Sequence, residues 1–254
     1  YKFSSSETVE DANNITVMSF NVRLFNMLKW SPSETIKEEI VALLSSENSD
    51  ILCLQEYQRS SPIKLEGYYD FNARYNPNAR GGLAIFTKFP IVNSGSLEFP
   101  NTNNNAIFVD IVKQKDTLRV YNLHLQSSGI NTNVEKLKKE SSELLFKQVG
   151  STFKKQQEQV QLFLEHKSRC KFKTIVTGDF NNTAYSYIYK EVKGDLVDTF
   201  KEAGNGFGRT YDFKFFPLRI DFVLVDEDFT VNGYTSYDVK LSDHYPIKAV
   251  LKLH

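Results

Sequence analysis

The first chemically suggestive segment is TGDFNN, residues 177–182, which follows the apolar run 174–176. The run predicts a buried strand that ends by presenting an acid and an amide, and Gly178 permits a close approach of the backbone there. Because Asp179 and Asn181 are two residues apart, their side chains point to the same side of an extended segment. Such a pair suits the holding and deprotonation of a water molecule.

Three more polar side chains stand at or near the ends of predicted strands. Asn21 ends the alternating segment 15–20, Glu56 follows the apolar run 51–54, and His124 lies in the strand 118–125. Each has an ordinary explanation when taken alone: a turn asparagine, an exposed glutamate and a structural histidine.

Two further segments later in the chain carry candidate site residues, one an aspartate and the other an aspartate followed by a histidine. Asp221 stands at the front of the apolar segment 222–225, where a charged residue needs a partner, and Arg219 could supply one locally. Asp243 and His244 are adjacent in a loop before a strand that starts with proline. An ordinary turn would also explain this pair.

Taken together, these side chains make one consistent set. It comprises four carboxylates, two imidazoles and two amides: Glu56, Asp179, Asp221, Asp243, His124, His244, Asn21 and Asn181. No zinc-type Cys/His spacing and no glycine-rich phosphate loop competes with this set. Oxygen-rich ligands favour Mg²⁺ or Mn²⁺ over zinc, and a hard cation beside a carboxylate base and imidazole donors suits hydrolysis of a phosphate ester.

The elements that must position these residues are many strands with a few helices between them. A capping box at 31–34 starts a helix whose core stripe is Ile36, Ile40, Leu43 and Leu44. A second, highly charged helical pattern runs from about Val134 to His166, and we expect Gly150-Ser151 to break or kink it. This alternation predicts two packed sheets flanked by helices.

Size and charge bound the class of protein. The chain has 254 residues, of which 31 are basic and 31 acidic, so net charge gives no general attraction to nucleic acid or anionic membrane. No run approaches the ~18 apolar residues of a membrane span. We expect a flexible tether at 1–12, one domain at 13–254, a monomeric state and no obligate protein partner. The polar start at Tyr1 is compatible with a membrane anchor upstream.

Seven motifs, in order, resemble the endonuclease/exonuclease/phosphatase superfamily, the DNase I-like proteins, and in particular its bacterial members. They are SFNV at 19–22, LQE at 54–56, GGLAIFTKFP at 81–90, NLHL at 122–125, GDFN at 178–181, RIDF at 219–222 and SDH at 242–244. The resemblance implies an α/β fold, a four-layer α/β/β/α sandwich with two mixed, mainly antiparallel sheets. It also includes a bacterial subgroup in which such a domain follows membrane-spanning segments.

The resemblance implies a metal site of one Mg²⁺ or Mn²⁺ ion. Glu56 matches the main ligand, Asn21 lies beside it, and Asp243 supports the metal directly or through water. Arg23 stands where some nuclease relatives place an acid, which favours one ion over two. Leu123 replaces a usual threonine, so one small polar contact is lost.

The resemblance also implies the catalytic roles. Asp179 matches the residue that orients or deprotonates the attacking water, and Asn181 holds that water or the phosphate. His244 matches the imidazole that contacts the scissile phosphate, polarised by Asp221, and His124 matches a donor to a phosphate oxygen. Both Asp179 and His244 remain candidates for the general base.

The expected function is a Mg²⁺-dependent phosphoesterase that hydrolyses a phosphodiester or phosphomonoester by attack of an activated water. The substrate alternatives are nucleic acid, an inositol phosphate and a phospholipid head group. A nuclease acting on DNA or RNA is the main alternative, and a catalytically silent binding module ranks last because Asp179, Glu56 and His244 are all present. We expect Arg74, Arg80 and Asn182 to bind substrate. Aromatic residues at 185–189 could stack on a base or sugar.

Overall fold

The computed structural model describes residues 8–76, 78–127 and 142–254. Most of the predicted tether and the start of the second predicted helix, 134–141, lie outside the described residues. Within the described part of the tether, the Val9 N–H donates to the Asn232 carbonyl at 2.8 Å, and Asp11 forms an ion pair with Lys252.

The described part of the chain contains twelve strands and four α-helices. The strands are β1 (Ile15–Asn21), β2 (Ile51–Gln58), β3 (Tyr69–Arg74), β4 (Gly81–Thr87), β5 (Ile91–Ser96), β6 (Asn105–Lys113), β7 (Asp116–His124), β8 (Lys173–Asp179), β9 (Val197–Asp198), β10 (Asp221–Val225), β11 (Phe229–Ser236) and β12 (Ile247–Leu253). The helices are α1 (Ile36–Glu47), α2 (Ser142–Ser168), α3 (Tyr187–Lys193) and α4 (Thr199–Ala203).

The strands form two six-stranded sheets. Their orders are β11-β12-β1-β2-β4-β3 and β5-β6-β7-β8-β10-β9. In each sheet the two central strands are parallel, β1 with β2 and β7 with β8, and the other neighbours are antiparallel. Each parallel pair is joined through a helix, α1 or α2, as parallel neighbours require.

Three apolar clusters fill the spaces between four layers. The strand alternation sends one set of side chains, including Val17, Ile85, Val120 and Ile175, into the space between the sheets. The opposite face of the first sheet packs against α1 through residues such as Ile40. The outer face of the second sheet packs against α2 and α3. The predicted four-layer α/β/β/α sandwich with two mixed, mainly antiparallel sheets is therefore confirmed.

One polar contact crosses the apolar space between the sheets. The side-chain amide of Asn122, on β7, donates to the carbonyls of Leu54 and Ala84 in the opposite sheet, at 2.9 and 3.0 Å. Its oxygen accepts a hydrogen bond from the Gln55 side chain at 2.7 Å. Both Asn122 and Gln55 are fully buried.

The prediction of a break at Gly150-Ser151 was wrong. Helix α2 runs through both residues without interruption. Beyond the glycine, Thr152, Gln156 and Gln159 are buried, and Val160 and Phe163 pack on the second sheet. A single glycine costs only about 1 kcal/mol in a helix, which such packing offsets.

We predict that Gly178→Ala lowers the free energy of unfolding by about 3 kcal/mol or more. Gly178 has φ of +134°, and a Cβ there would lie 1.9 Å from the Leu123 carbonyl oxygen on the adjacent strand. Urea unfolding followed by circular dichroism measures this change.

Gly67→Ala is the matched control, because Gly67 has φ of +77° but no atom within 4 Å of a Cβ. It should cost about 1–2 kcal/mol from backbone strain alone. Equal losses in the two variants would contradict a role for the close approach of β7 and β8.

Candidate active site

The predicted site residues meet at one edge of the sandwich because the strand registers bring them there. Asp179 pairs with His124 across β7 and β8, and with Asp221 across β8 and β10. On the other sheet, Asn21 ends β1 beside Gln55 of β2. His244 lies in the loop before β12, which is the antiparallel neighbour of β1. The carboxyl ends of both central parallel pairs therefore face each other.

Asp179 is the centre of the cluster and is 1% exposed. Its Oδ2 accepts from the Asn21 side-chain amide at 3.1 Å, and its Oδ1 accepts from the backbone N–H of Asn181 at 2.8 Å. The Nε2 atoms of His124 and His244 lie 3.5 and 3.6 Å from Oδ2. Burial raises the pKa of Asp179 to about 7, with His244 opposing the rise and Asp221 adding to it.

His244 forms a close pair with Asp221. Its Nδ1 lies 3.2 and 3.0 Å from the two carboxylate oxygens. Burial alone would lower the pKa of His244, but the carboxylates of Asp221 and Asp179 outweigh it and raise the pKa to about 10. The backbone N–H of Asp221 donates to the Thr210 hydroxyl at 3.1 Å, which fixes the start of β10. His244 is therefore an imidazolium at neutral pH.

His124, in contrast to His244, is uncharged at neutral pH. Burial, together with the nearby imidazolium of His244, lowers the pKa of His124 to about 3, so its ring is neutral at pH 7. Its Nδ1 lies 2.6 Å from the hydroxyl of Tyr75. That hydroxyl accepts from the backbone N–H of Glu56 at 2.8 Å, so its own proton is directed to Nδ1. The proton of His124 is then on Nε2, which faces Asp179.

Glu56 reaches the site through a β-bulge. Gln55 pairs with Leu83 while Tyr57 pairs with Gly82, so Glu56 is the extra residue, and its φ is +50°. Without the bulge, alternation would point Glu56 toward α1, a position that Tyr57 takes instead. The bulge also frees the Glu56 N–H for Tyr75.

Asp243 faces Arg23 at the mouth of the site. The Asp243 carboxylate lies 3.3 Å from the Arg23 guanidinium, which stacks 5.0 Å above the Trp30 ring. Arg23–Asn26 all have positive φ, an arrangement that costs roughly 1 kcal/mol or more per residue. The buried ring of Phe25 and two hydrogen bonds from the Asn26 side chain hold this turn.

The donor set around Glu56 fits a hard divalent cation. The carboxylate is half-buried, burial raises its pKa, and the Asn21 amide lies 3.4 Å away. Among the described residues no lysine or arginine forms an ion pair with Glu56. A buried carboxylate needs a cation or several donors, and carboxylate and amide oxygens suit Mg²⁺.

A second group of atoms could also hold an ion. Asp179, Asp221 and His244 present ligand atoms that all lie within 4.8 Å of one another. His244 already holds Asp221 through Nδ1, so an ion bound between these two side chains would displace their hydrogen bond. At Glu56 the Asn21 NH2 group faces the carboxylate at 3.4 Å, while the Asn21 oxygen accepts from the Arg23 N–H at 3.1 Å. An ion bound by both side chains would therefore displace only this long contact.

The structure does not bring all predicted residues into the cluster. Asn182 is 8% exposed, and its side chain donates to Gln156 of α2 at 2.6 Å. Arg74 and Arg80 are exposed at the end of β3 and just before β4. The Asn181 side chain donates to the Leu125 carbonyl at 2.9 Å. Leu123 faces the α2 layer, where it is fully buried. The substrate-binding role of Asn182, Arg74 and Arg80 stays a prediction.

Sequence reasoning missed Tyr75 and Thr210. Tyr75 directly follows β3, and its hydroxyl meets Glu56 and His124, which are 19 and 49 residues away in the chain, so no local signal marks it. Thr210 lies eleven residues before Asp221 in an irregular segment and accepts from the N–H groups of Ile220 and Asp221. The only sequence signal for Thr210 is that it is a polar residue in the segment before the RIDF motif at 219–222.

Comparison with known proteins agrees with this geometry. The model of the Endonuclease/Exonuclease/phosphatase family matches residues 18–244, which include every residue of the cluster. A search of curated proteins finds no match.

Several solved structures share the fold. An endonuclease/exonuclease/phosphatase from Bacteroides vulgatus has a TM-score of 0.74 at 18% identity, over 95% of this chain and 99% of that one. The mannosyl-6-phosphatase of Bacteroides thetaiotaomicron has 0.69 at 22%, over 93% and 99%. The human Nocturnin catalytic domain with bound sulfate has 0.71 at 19%, over 95% and 94%. At these identities the likeness concerns the fold.

We predict that in His124→Gln the free energy of unfolding falls less steeply than in wild type as the pH is lowered. The folded-state pKa of His124, about 3, lies below the ordinary histidine value of 6.5. The contribution of a neutral buried histidine is therefore complete above pH 6.5 and is lost as the pH falls toward 3, at about 1 kcal/mol per pH unit. Urea unfolding of the metal-free protein between pH 7 and 4 measures the slope.

The difference between wild type and His124→Gln should grow with pH over this window. His166→Gln is the comparison, because His166 is only partly buried and its pKa is lowered less. An unchanged slope in His124→Gln would show that folding does not lower the pKa of His124.

Proposed function

The chain belongs to the endonuclease/exonuclease/phosphatase family of metal-dependent hydrolases of phosphoric ester bonds, and we propose that it is a Mg²⁺-dependent phosphoesterase that uses Asp179 as general base. The observation that carries this proposal is the position of the buried Asp179 carboxylate between two imidazoles, the neutral ring of His124 and the charged ring of His244. The substrate is a phosphomonoester or phosphodiester.

Asp179 is better suited than His244 to accept the proton of the attacking water. A general base works best when its pKa lies near the working pH, and the pKa of Asp179 is about 7. His244 carries its proton at that pH because Asp221 stabilises the imidazolium. The backbone N–H of Asn181 and the Asn21 amide fix the Asp179 oxygens.

The chemical step balances with these groups. The water oxygen attacks phosphorus while Asp179 takes one water proton. The ester P–O bond then breaks, and the imidazolium of His244 supplies a proton to the leaving oxygen. The Nε2–H of His124 donates to a non-bridging phosphoryl oxygen, where negative charge builds in the transition state.

Glu56 and Asn21 would hold the Mg²⁺ ion, and Asp243 would support it from the mouth of the site. When bound, the ion supplies positive charge to the phosphoryl oxygens. The Arg23 guanidinium beside Asp243 adds a fixed positive charge on the same side. One ion together with Arg23 therefore suits the four carboxylates of the site better than two ions would.

A nuclease acting on DNA or RNA is the second candidate. Exposed lysines on α2, such as Lys154 and Lys155, favour it because they could contact a phosphate backbone. The zero net charge of the chain weighs against extended duplex contact. We therefore rank a small phosphate ester, or a short single strand, above duplex DNA.

We predict that Asp179→Asn lowers kcat by about 10³-fold for hydrolysis of a generic phosphate ester with Mg²⁺, because an amide cannot accept the water proton. Released inorganic phosphate or coloured alcohol measures the rate. The uncharged side chain keeps the hydrogen bond to the Asn181 N–H, so the fold should remain.

Asp226→Asn is the matched control. Asp226 lies at the opposite end of β8 and β10, where it accepts from the N–H of Thr174. This variant should keep wild-type kcat. Retention of more than half the activity by Asp179→Asn would sink the proposed mechanism.

We predict that Glu56→Gln weakens Mg²⁺ binding at least tenfold, because the loss of a carboxylate ligand removes both charge and an oxygen donor. Titration calorimetry with Mg²⁺ alone measures the Kd, and high Mg²⁺ should restore part of the activity.

Glu47→Gln serves as control, since Glu47 is also partly buried but pairs with Lys248 on the far side of the first sheet. Its Mg²⁺ affinity should match wild type. An unchanged Kd in Glu56→Gln, with a weakened Kd in Asp221→Asn, would move the metal to the Asp179, Asp221 and His244 group.

A further inference from the structure

A pocket of about 920 Å³ is lined by residues that stand close in the chain to Asn181 and Asp221. We call it the aromatic pocket and define it by Tyr185, Phe207, Phe216, Leu218, Phe200 and Arg219. Its volume lies in the range of small-molecule sites. No catalytic role proposed above uses it.

The aromatic pocket is continuous with the catalytic residues along two chain segments. Its wall residue Thr183 is two residues after Asn181, so their Cα atoms are within about 8 Å. Arg219 is two residues before Asp221. In addition, Leu218 pairs with Tyr211, which pairs with His244, and the rings of Tyr211 and His244 lie 5.0 Å apart. The pocket wall and the cluster are therefore linked through the segments 181–183 and 219–221 and through the pairings of Tyr211.

The pocket exposes aromatic rings to an unusual degree. Tyr185 is 84% exposed, Phe207 60% and Phe216 56%. Large apolar side chains that cluster at a surface mark binding sites more often than isolated ones do. The ring of Phe216 is also supported, because Phe213 packs against it with ring centroids 4.8 Å apart.

The floor of the pocket is rigid and electrically neutral. Arg219 makes a bidentate ion pair with Asp198 at 3.0 and 2.8 Å, and its guanidinium stacks 4.7 Å from the Phe200 ring. The positive charge of Arg219 is thus matched within the protein. Lys190 and Lys201 also line the pocket, and they supply cationic side chains that complement an anionic substrate.

We propose that the aromatic pocket binds a planar aromatic group, such as a nucleobase or another aryl ring, that belongs to the phosphate-ester substrate. Three aromatic rings around a concave space offer stacking faces, and cationic side chains beside them suit a ligand that combines a ring with phosphate. A lipid acyl chain gains nothing specific from rings, and a concave pocket encloses a group rather than inserting into a bilayer. This inference rests on the proposed function of the adjacent cluster.

The first experiment compares two ligands that are not hydrolysed, phenylphosphonate and methylphosphonate, by titration calorimetry on the full chain with Mg²⁺. Wild type should bind phenylphosphonate about tenfold more tightly than methylphosphonate. Phe216→Leu should lose this preference, Phe216→Tyr should keep it, and Phe153→Ala, an exposed ring on α2, should leave it unchanged. Because binding needs no turnover, this result is independent of whether the protein is catalytically active.

The second experiment measures kcat and KM for p-nitrophenyl phosphate, a deoxythymidine dinucleotide and glycerol phosphate. Phe216→Leu should raise KM about tenfold for the two aromatic substrates, with little change for glycerol phosphate. A change for the dinucleotide alone would identify the aromatic group as a nucleobase.

Two results would overturn the proposal. One is equal binding of the two phosphonates by wild type and by Phe216→Leu. The other is a loss of binding to phosphatidylcholine/phosphatidylglycerol vesicles in Phe216→Leu with unchanged phosphonate affinity, which would assign the rings to a membrane surface. Hydrolysis of none of the three substrates, with the phosphonate preference intact, would count against the proposed function but not against the pocket.

Discussion

The hydrogen bonds of Asn122 across the two sheets set the position of the whole catalytic edge. An amide buried in an apolar interface costs free energy where its donors and acceptor lack partners, and Asn122 finds partners for all of them in Leu54, Ala84 and Gln55. A shift of one sheet along the other by a single residue would leave these groups unpaired in the core. The contact therefore holds β7 opposite β2, and this placement lets Asn21 of one sheet reach Asp179 of the other.

The same arrangement explains why one histidine of the cluster is charged and the other is neutral. His244 has a carboxylate on each side, and this attraction outweighs the cost of burying its charge. His124 has the Tyr75 hydroxyl at Nδ1 and the imidazolium of His244 close by. Burial and this positive charge both lower its pKa, so the ring stays neutral. The neighbours of each ring, rather than the residue type, therefore set its protonation state: His244 is a cationic donor and His124 is a neutral N–H donor.

Much of the fold and most of the site residues could be predicted from the sequence because their signals are local. Apolar runs lead to Asn21, Glu56 and Asp179, and parallel pairing gathers these residues at one edge. Asn21 and Asp179 end their strands as predicted, whereas Glu56 lies in a bulge within β2. Other features depend on contacts far apart in the chain. Tyr75 contacts His124, which lies 49 residues away in the chain, and α2 passes through Gly150 because packing on the second sheet outweighs helix propensity. The exposed rings of Phe207 and Phe216 lie in an irregular segment that periodicity does not describe.

The bulge at Glu56 separates the stability of this fold from its chemistry. The extra residue contributes little to the core, since Tyr57 fills the place that Glu56 would otherwise occupy under α1. A deletion of one residue at this point would restore a regular strand and keep the apolar layers intact, but the Glu56 carboxylate proposed to hold the cation would be lost from the edge. In evolutionary terms, one short indel could convert a hydrolase of this architecture into an inert scaffold, or the reverse, without passing through an unfolded intermediate.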